Sequence, residues 1–556
     1  MPTDLARTAR QYATSVPAIL ASGMLAPVSP RAATQLARSF HQFGPTPAML
    51  LAASAIRHPD RVAIIDDVGQ LTYRQLHSRS SAIAAALFAL APSAPRSVGI
   101  VCRNHRGFVE AMSAGAQLGA ELVFINTELP PQQLRAILAR HNPDVLIYDD
   151  EYAAAVAESG YAGVRVSAWS APGSPPTSLP TLDELATQRH PLPPRVRRAV
   201  KITLLTSGTT GLAKGVPRAV KPRAIALLCA TAMGMIRLRS ADVVAAAPPF
   251  FHGFGLVALL GPLALGGTVV TRRRFDAAQT LEDIARHRVT VLMGVPVMLQ
   301  RLLAVPGLDP APALRSLRMI VTGAAPITPA TVSGVIDTFG PILVNGYGST
   351  EGGLVTIASP QDLVEAPNTA GRAALGVSVR ILRGNHSEAA VNETGMIFVR
   401  SPLDYTGYTP DGTTRPPAKE IVDGHVNTGD MGHFDASGRL YIDGRSDDMI
   451  VSGGENVFPG EVENRLTTHP GVADAVVIGV DDTEYGQVMH AFVVAADAGQ
   501  LPSEAELKQY VRDGLERYKV PKRFIVVDEI PRNAGGKVLR SLLQAPDANP
   551  SAPRKA

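Results

Sequence analysis

Residues 202–215 read ITLLTSGTTGLAKG, and the fold turns on how that stretch is understood. It opens as an apolar strand and ends in a loop of glycines and hydroxyls around one lysine. Thr206, Ser207, Thr209 and Thr210 supply hydroxyl donors, and Lys214 adds a mobile cation. Gly208 and Gly211 let backbone N–H groups turn toward an anion, so the loop suits phosphate. Two familiar phosphate loops do not match. A P-loop carries glycine directly before its lysine and Ser or Thr directly after it, where this chain has Ala213 and Gly215. A dinucleotide fingerprint fails in NGYGSTEGG (345–353), because Glu351 stands at the third glycine position. A carboxylate there repels a pyrophosphate unless a metal ion lies between them.

Outward from that loop, strands and helices alternate. RVAIID, SVGIVC, AELVFINT and DVLIYDD read as buried strands; YRQLHSRSSAIAAALFAL and RGFVEAMSAGAQLGA read as helices. This alternation predicts parallel α/β sheets covered on both faces. Residues 170–195 are rich in Pro and Ser and read as a surface connection. After 370 short strands such as GMIFVR and GRLYIDG predict a small antiparallel barrel or sheet, and from 447 a compact α+β unit follows. The expected architecture is α/β: an extension over 1–48, a large domain over 49–446 with a β-rich subdomain from about 355, a mobile C-terminal domain over 447–545 and a disordered tail over 546–556.

Composition bounds the function. The 556 residues are too many for one core and predict roughly two to four domains. A net charge of +4, with no basic stripe among aromatics, predicts no nucleic-acid partner. Cys102 and Cys229 have no paired spacing, so a disulfide framework or zinc site is not expected and a reducing cytoplasm is. The apolar run VPAILASGMLAPV (16–28) is broken by Pro and Gly and is not read as a signal peptide. Residues 243–270 lack charge but carry Pro248, Pro249, Pro262 and five glycines, which predicts a buried strand–loop–helix rather than a membrane span. Arg7, Arg10, Arg31 and Arg38 face one acid, Asp4, in the extension, which predicts packing on the main body or a peripheral membrane contact.

TSGTTGLAKG, NGYGSTEGG, NTGDMG (427–432), GRSDDMIVSGGENVFPGEVE (444–463) and PRNAGGKVLR (531–540) occur in that order. Together they resemble the adenylate-forming superfamily of acyl-CoA synthetases, luciferases and adenylation domains, over about 50–545. SGGENVFPGEVE is similar to fatty and aryl acyl-CoA synthetases, and together with NHRGF (104–108) and INTELPP (125–131) it most resembles bacterial fatty acyl-CoA synthetases. The resemblance implies that the 206–215 loop closes over the β- and γ-phosphates of ATP and that Tyr347 stacks on adenine opposite Gly323-Ala324-Ala325-Pro326. Thr350 is implied at the α-phosphate, Glu351 on Mg²⁺, and Asp430 with Arg445 on the ribose. Lys537 is implied between the substrate carboxylate and the α-phosphate. Asp447 is implied as the hinge, Ser452, Gly453 and Gly454 as the wall of a CoA tunnel, and His252 at the acyl entrance. Arg517, Lys519 and Lys522 read as solvated charges, and His425 and His433 as surface residues.

The chemistry is coherent with that resemblance. A carboxylate attacking a polyphosphate brings two anions together, so it calls for cations and donors where charge develops more than for a base. The apolar candidates Phe250, Phe254, Met293, Val295, Val297 and Leu354 predict a fatty chain. The expected activity is ATP-dependent fatty acid–CoA ligation through an acyl-AMP, by a cytoplasmic monomer or homodimer using ATP, Mg²⁺ and CoA. The alternatives are a fatty acyl-AMP ligase serving a carrier protein, an aryl-acid CoA ligase, and, from another class, a non-catalytic binding homologue.

Overall fold

The computed structural model describes residues 15–543 except 92, 175–176, 195–199, 207–213, 220–221, 309, 311–312, 350–351, 403–406, 408–417, 453–454, 483, 497–501 and 534. Four sheets organise it. The first has nine strands, in the order Arg372–Ala373, Gly353–Ala358, Leu343–Ser349, Met319–Gly323, Val291–Met293, Val243–Ala246, Thr268–Val270, Val62–Asp66 and Gly69–Thr72. Its six inner strands, from Leu343–Ser349 to Val62–Asp66, run parallel, and antiparallel hairpins close both edges. The second sheet orders Val164–Trp169, Val145–Asp149, Ser97–Val101, Glu121–Phe124, Lys201–Thr206 and Lys214–Ala219, parallel but for the last pair.

Helices Tyr73–Leu90, Arg106–Gln117 and Gly253–Leu265 lie between these sheets, and one hydrophobic core takes residues from both. The strand VLIYD is buried throughout, which is why it reads as a continuous apolar run. The uncharged stretch 243–270 is a strand, a loop, a helix and a strand, as its prolines and glycines predict. The connection 170–195 differs from expectation: Thr181 and Glu184 form a capping box that starts a helix at Leu182–Thr187. The signal T-L-D-E was in the sequence, hidden by the surrounding prolines.

Ser378–Leu382, Gly395–Arg400, Ile421–Val422, His425–Phe434 and Leu440–Arg445 form the antiparallel subdomain. The C-terminal unit builds its own sheet and core around Val472–Asp482 and Gly486–Ala495, with helices Pro459–Thr467 and Glu504–Arg512. The N-terminal extension packs on the main body: Ser240 donates its N–H to Ser22, and the Arg57 guanidinium holds the carbonyls of Met24 (2.6 Å) and Gly23 (2.9 Å). Among the described residues no helix is long and apolar enough to cross a membrane.

One register matters for the site. Gly323 pairs with Gly346 in adjacent parallel strands, and a Cβ at 323 would stand 2.5 Å from the Gly346 carbonyl oxygen. That oxygen is backbone and cannot rotate away. Gly323→Ala is therefore expected to cost about 2 kcal/mol of stability by overpacking. Chemical denaturation measures it; a change below ~0.5 kcal/mol would mean the strands separate freely.

Candidate active site

The site forms where several parallel strands end. Met319–Gly323 leads into Ala324 and Ala325, Leu343–Ser349 carries Tyr347, and Val291–Met293 runs into Val295. Ligands in open α/β sheets collect at the carboxyl ends of strands. Ala324 holds a left-handed φ of 69°, rare for a residue with a Cβ, so the turn after Gly323 is fixed by its surroundings.

Asp430 is the buried anion here, at 9 % exposure. It lies on His425–Phe434 opposite Arg445 on Leu440–Arg445. The Tyr347 hydroxyl donates to one Asp430 oxygen at 2.5 Å, and Arg445 donates to the other at 3.4 Å. Burial pushes the Asp430 carboxyl pKa up, against the pull of the Tyr347 hydrogen bond and of Arg445, Lys537 and Lys419. Burial and the Asp430 charge raise the Tyr347 phenol well above its ordinary value, so it stays a donor. Arg445 also forms a bidentate pair with Asp447, at 2.9 and 3.0 Å. The implied ribose acceptor, its arginine and the implied hinge thus form one chain of contacts.

The acyl-side residues come together through Asn104. Its side chain accepts from the Phe250 N–H at 2.8 Å and donates to the Pro248 carbonyl at 2.9 Å, pinning the turn before helix Gly253–Leu265. Gly255 is required there, since a Cβ would fall 1.9 Å from the Pro249 oxygen. His252 caps that helix with its backbone, while its ring Nε2 is sealed from solvent and has no hydrogen-bond partner among the described residues. Burial, with the Lys537 charge nearby, drives its pKa down to about 4, so the ring is neutral at pH 7. Phe250 and Met293 are fully buried, Phe250 edge-on to Phe108 at 5.6 Å, so both serve the core shared by the two sheets. Val295 is buried and Phe254 half-buried.

The small domain meets this surface through the 531–540 hairpin. A Cβ on Gly535 would lie 3.5 Å from His252 Nε2, and one on Gly536 would lie 3.3 Å from Val295 and 3.4 Å from Val297. Lys537 follows those glycines, and its charge acts on both His252 and Asp430. A lysine from the small domain therefore follows directly on the turn that meets the acyl-side histidine. Thr206 and Lys214 pair across the hairpin of the second sheet, so residues 207–213 connect them directly.

This arrangement accompanies a match to the AMP-binding enzyme family over residues 51–409 and to its C-terminal domain over 461–537. The chain belongs to the AMP-binding enzymes. They are the adenylate-forming, acyl-CoA ligase superfamily, working with ATP, Mg²⁺ and CoA. An indoleacetate–CoA ligase of Aromatoleum aromaticum is 34% identical over 490 residues, covering 87% of this chain and 93% of that one. A fatty acid–[acyl-carrier-protein] ligase of Streptomyces coeruleorubidus is 32% identical over 510 residues, covering 88% and 94%. The o-succinylbenzoate CoA synthetase of Bacillus subtilis, solved with its acyl-adenylate, aligns with a TM-score of 0.75 at 28% identity, covering 90% and 99%.

Within this AMP-binding enzyme, Ser207, Gly208, Thr209, Thr210, Gly211, Thr350, Glu351, Gly453 and Gly454 lie outside the described residues, as do the side chains of Thr206 and Lys214. Ser452 lies on the short strand Ile450–Ser452 of the small domain. Two readings are corrected. His425 is buried and contacts the Ser378 hydroxyl at 3.0 Å, and His433 pairs with Asp443 and stacks on Tyr441, so neither is a free surface histidine. Lys519 is 9 % exposed and paired with Glu461 (2.5 Å) and Glu516 (2.9 Å), so it is not a solvated charge. Asn104 had no role in the sequence reading, although NHRGF contains it; nothing local marks an asparagine whose partners lie more than a hundred residues away.

Two outcomes follow. Tyr347→Phe removes a charge-assisted donor from Asp430, and the KM for ATP is expected to rise about tenfold with kcat little changed. Steady-state kinetics at varied ATP checks this. His252 is a base whose folded pKa lies below its unfolded value of 6.5. Between those values the unfolded chain binds the extra proton, so stability falls as pH drops from about 6.5 to 4, by on the order of 3 kcal/mol at most. Denaturation of wild type and His252→Phe across that window should show a shallower loss in the variant.

Proposed function

We propose that this chain is an ATP-dependent ligase that joins a hydrophobic carboxylic acid, foremost a fatty acid, to CoA. The observation that carries the reading is the 531–540 hairpin of the small domain, whose Gly535 and Gly536 meet His252, Val295 and Val297 of the large one with Lys537 next in the chain. A cation so placed lowers the barrier for a carboxylate meeting the α-phosphate of ATP. Asp430, Arg445 and Tyr347 orient the nucleoside, the Ala324–Ala325 turn borders it, and Thr206 to Lys214 frame the loop assigned to the outer phosphates. Glu351 is assigned to Mg²⁺, which neutralises phosphate oxygens and assists departure of pyrophosphate. After adenylation the small domain turns about Asp447 and withdraws Lys537, and Ser452, Gly453 and Gly454 face the pantetheine thiol.

The acid is read from the apolar surface beside the neutral His252 ring, where Val295 and Val297 face the Gly536 turn. Those valines offer an aliphatic surface, which supports a hydrophobic acid. A second reading, an aryl acid, is favoured by relatives named for indoleacetate, 2-succinylbenzoate and feruloyl-CoA. A carrier-protein acceptor, as in the Streptomyces relative's name, is the third.

Mass spectrometry of products from ATP, Mg²⁺, CoA and a ladder of straight-chain and aryl acids decides among them. Acyl-CoA from straight-chain acids is the expected result; aryl-CoA alone, or adenylate accumulating beside unused CoA, would select a rival. Lys537→Ala is expected to lower adenylation at least about a hundredfold while thioester formation from supplied acyl-AMP stays within about threefold. Equal loss in both halves would overturn the assignment of Lys537.

A further inference from the structure

We propose that Asn533 and Arg532 are positioning residues that preset Lys537 for the adenylation half-reaction, an inference that rests on the reading of Lys537 given above. The hairpin 531–540 bends around Asn533. Its side-chain oxygen accepts the N–H groups of Gly535 and Lys537, each at 3.0 Å. Its backbone N–H donates to the Lys537 carbonyl at 2.8 Å, and its carbonyl accepts from Gly536 at 2.8 Å. Gly536, at φ +79°, completes the turn in a conformation a side chain would strain. Both backbone groups of Lys537 are thus tied to a single residue.

Arg532 fixes that turn to the small domain. Its guanidinium pairs with both Asp474 oxygens, at 2.8 and 3.0 Å, and donates to the Gly536 carbonyl at 3.2 Å. Asp474 lies on Val472–Asp482, the long strand of the small domain. At the far end of the hairpin Arg540 donates to the Val477 carbonyl of the same strand at 2.7 Å and meets Glu463 at 3.3 Å. The lysine therefore rides on a turn with two anchors, and its Cα cannot drift independently of the domain. A 1 Å misplacement of a catalytic group is enough to cost about a hundredfold in rate.

The test uses the full-length enzyme and separates the half-reactions. Pyrophosphate release is measured with the straight-chain acid that wild type turns over best, and thioester formation with supplied acyl-AMP and CoA. Asn533→Ala is expected to lower kcat of the first step ten- to hundredfold, with KM values and the second step within about twofold. Asn533→Ser, which keeps an acceptor oxygen, should recover much of the rate. Arg532→Lys keeps the charge but not the fork, and should show the same split more mildly. Hydrogen exchange of peptides covering 531–540 gives a readout without turnover: Asn533→Ala should lose protection there, and Lys537→Ala should keep it. Retained protection in Asn533→Ala, or equal loss of both half-reactions, overturns the proposal. A wild type that activates no acid overturns the proposed function instead, and leaves the exchange result to judge the hairpin.

Discussion

The carboxylate of Asp430 is a charge taken out of water, and the rest of the site is arranged around keeping it charged. Desolvation favours its neutral form, and no single neighbour offsets that. The Tyr347 hydroxyl comes from a hairpin of the nine-stranded sheet, Arg445 from the antiparallel subdomain, and Lys537 from the small domain. Three parts of the fold, two of which share a core around Val355 and Ile397, contribute to stabilising the anion. The converse also holds: the anion is part of what brings them together. A buried ion network of this kind contributes little net stability, so its value lies in fixing relative position.

The same cation shifts His252 in the same direction, with the opposite consequence for charge. Lys537 lowers the Asp430 pKa and lowers that of His252 as well, favouring the charged acid and the uncharged base. The acyl side is thereby kept electrically quiet while the nucleotide side stays charged. That division suits a site which must accept an apolar body on one hand and a polyphosphate on the other.

Much of this was legible in the sequence, because the informative residues cluster in short glycine-rich stretches. Strands such as VLIYD and the helix RGFVEAMSAGAQ announce themselves by pattern, and ordered motifs point to Tyr347, Asp430 and Lys537. What was not legible is long-range. Phe250 looks like a pocket wall from its neighbours in PPFFHGFG, yet it packs edge-on to Phe108 in the core. His425 and Lys519 look solvated because polarity is all that sequence reports. Their burial depends on Ser378, Glu461 and Glu516, which only folding brings near. The helix at Leu182–Thr187 was masked by prolines on both sides, though its cap was written out in full.

The contact between the small domain and the large one at Gly535 and Gly536 has a mechanical meaning. Two residues without side chains face His252, Val295 and Val297, so the surfaces touch without interlocking. At these two positions the surfaces can part and meet again with no side chain of the hairpin having to be repacked.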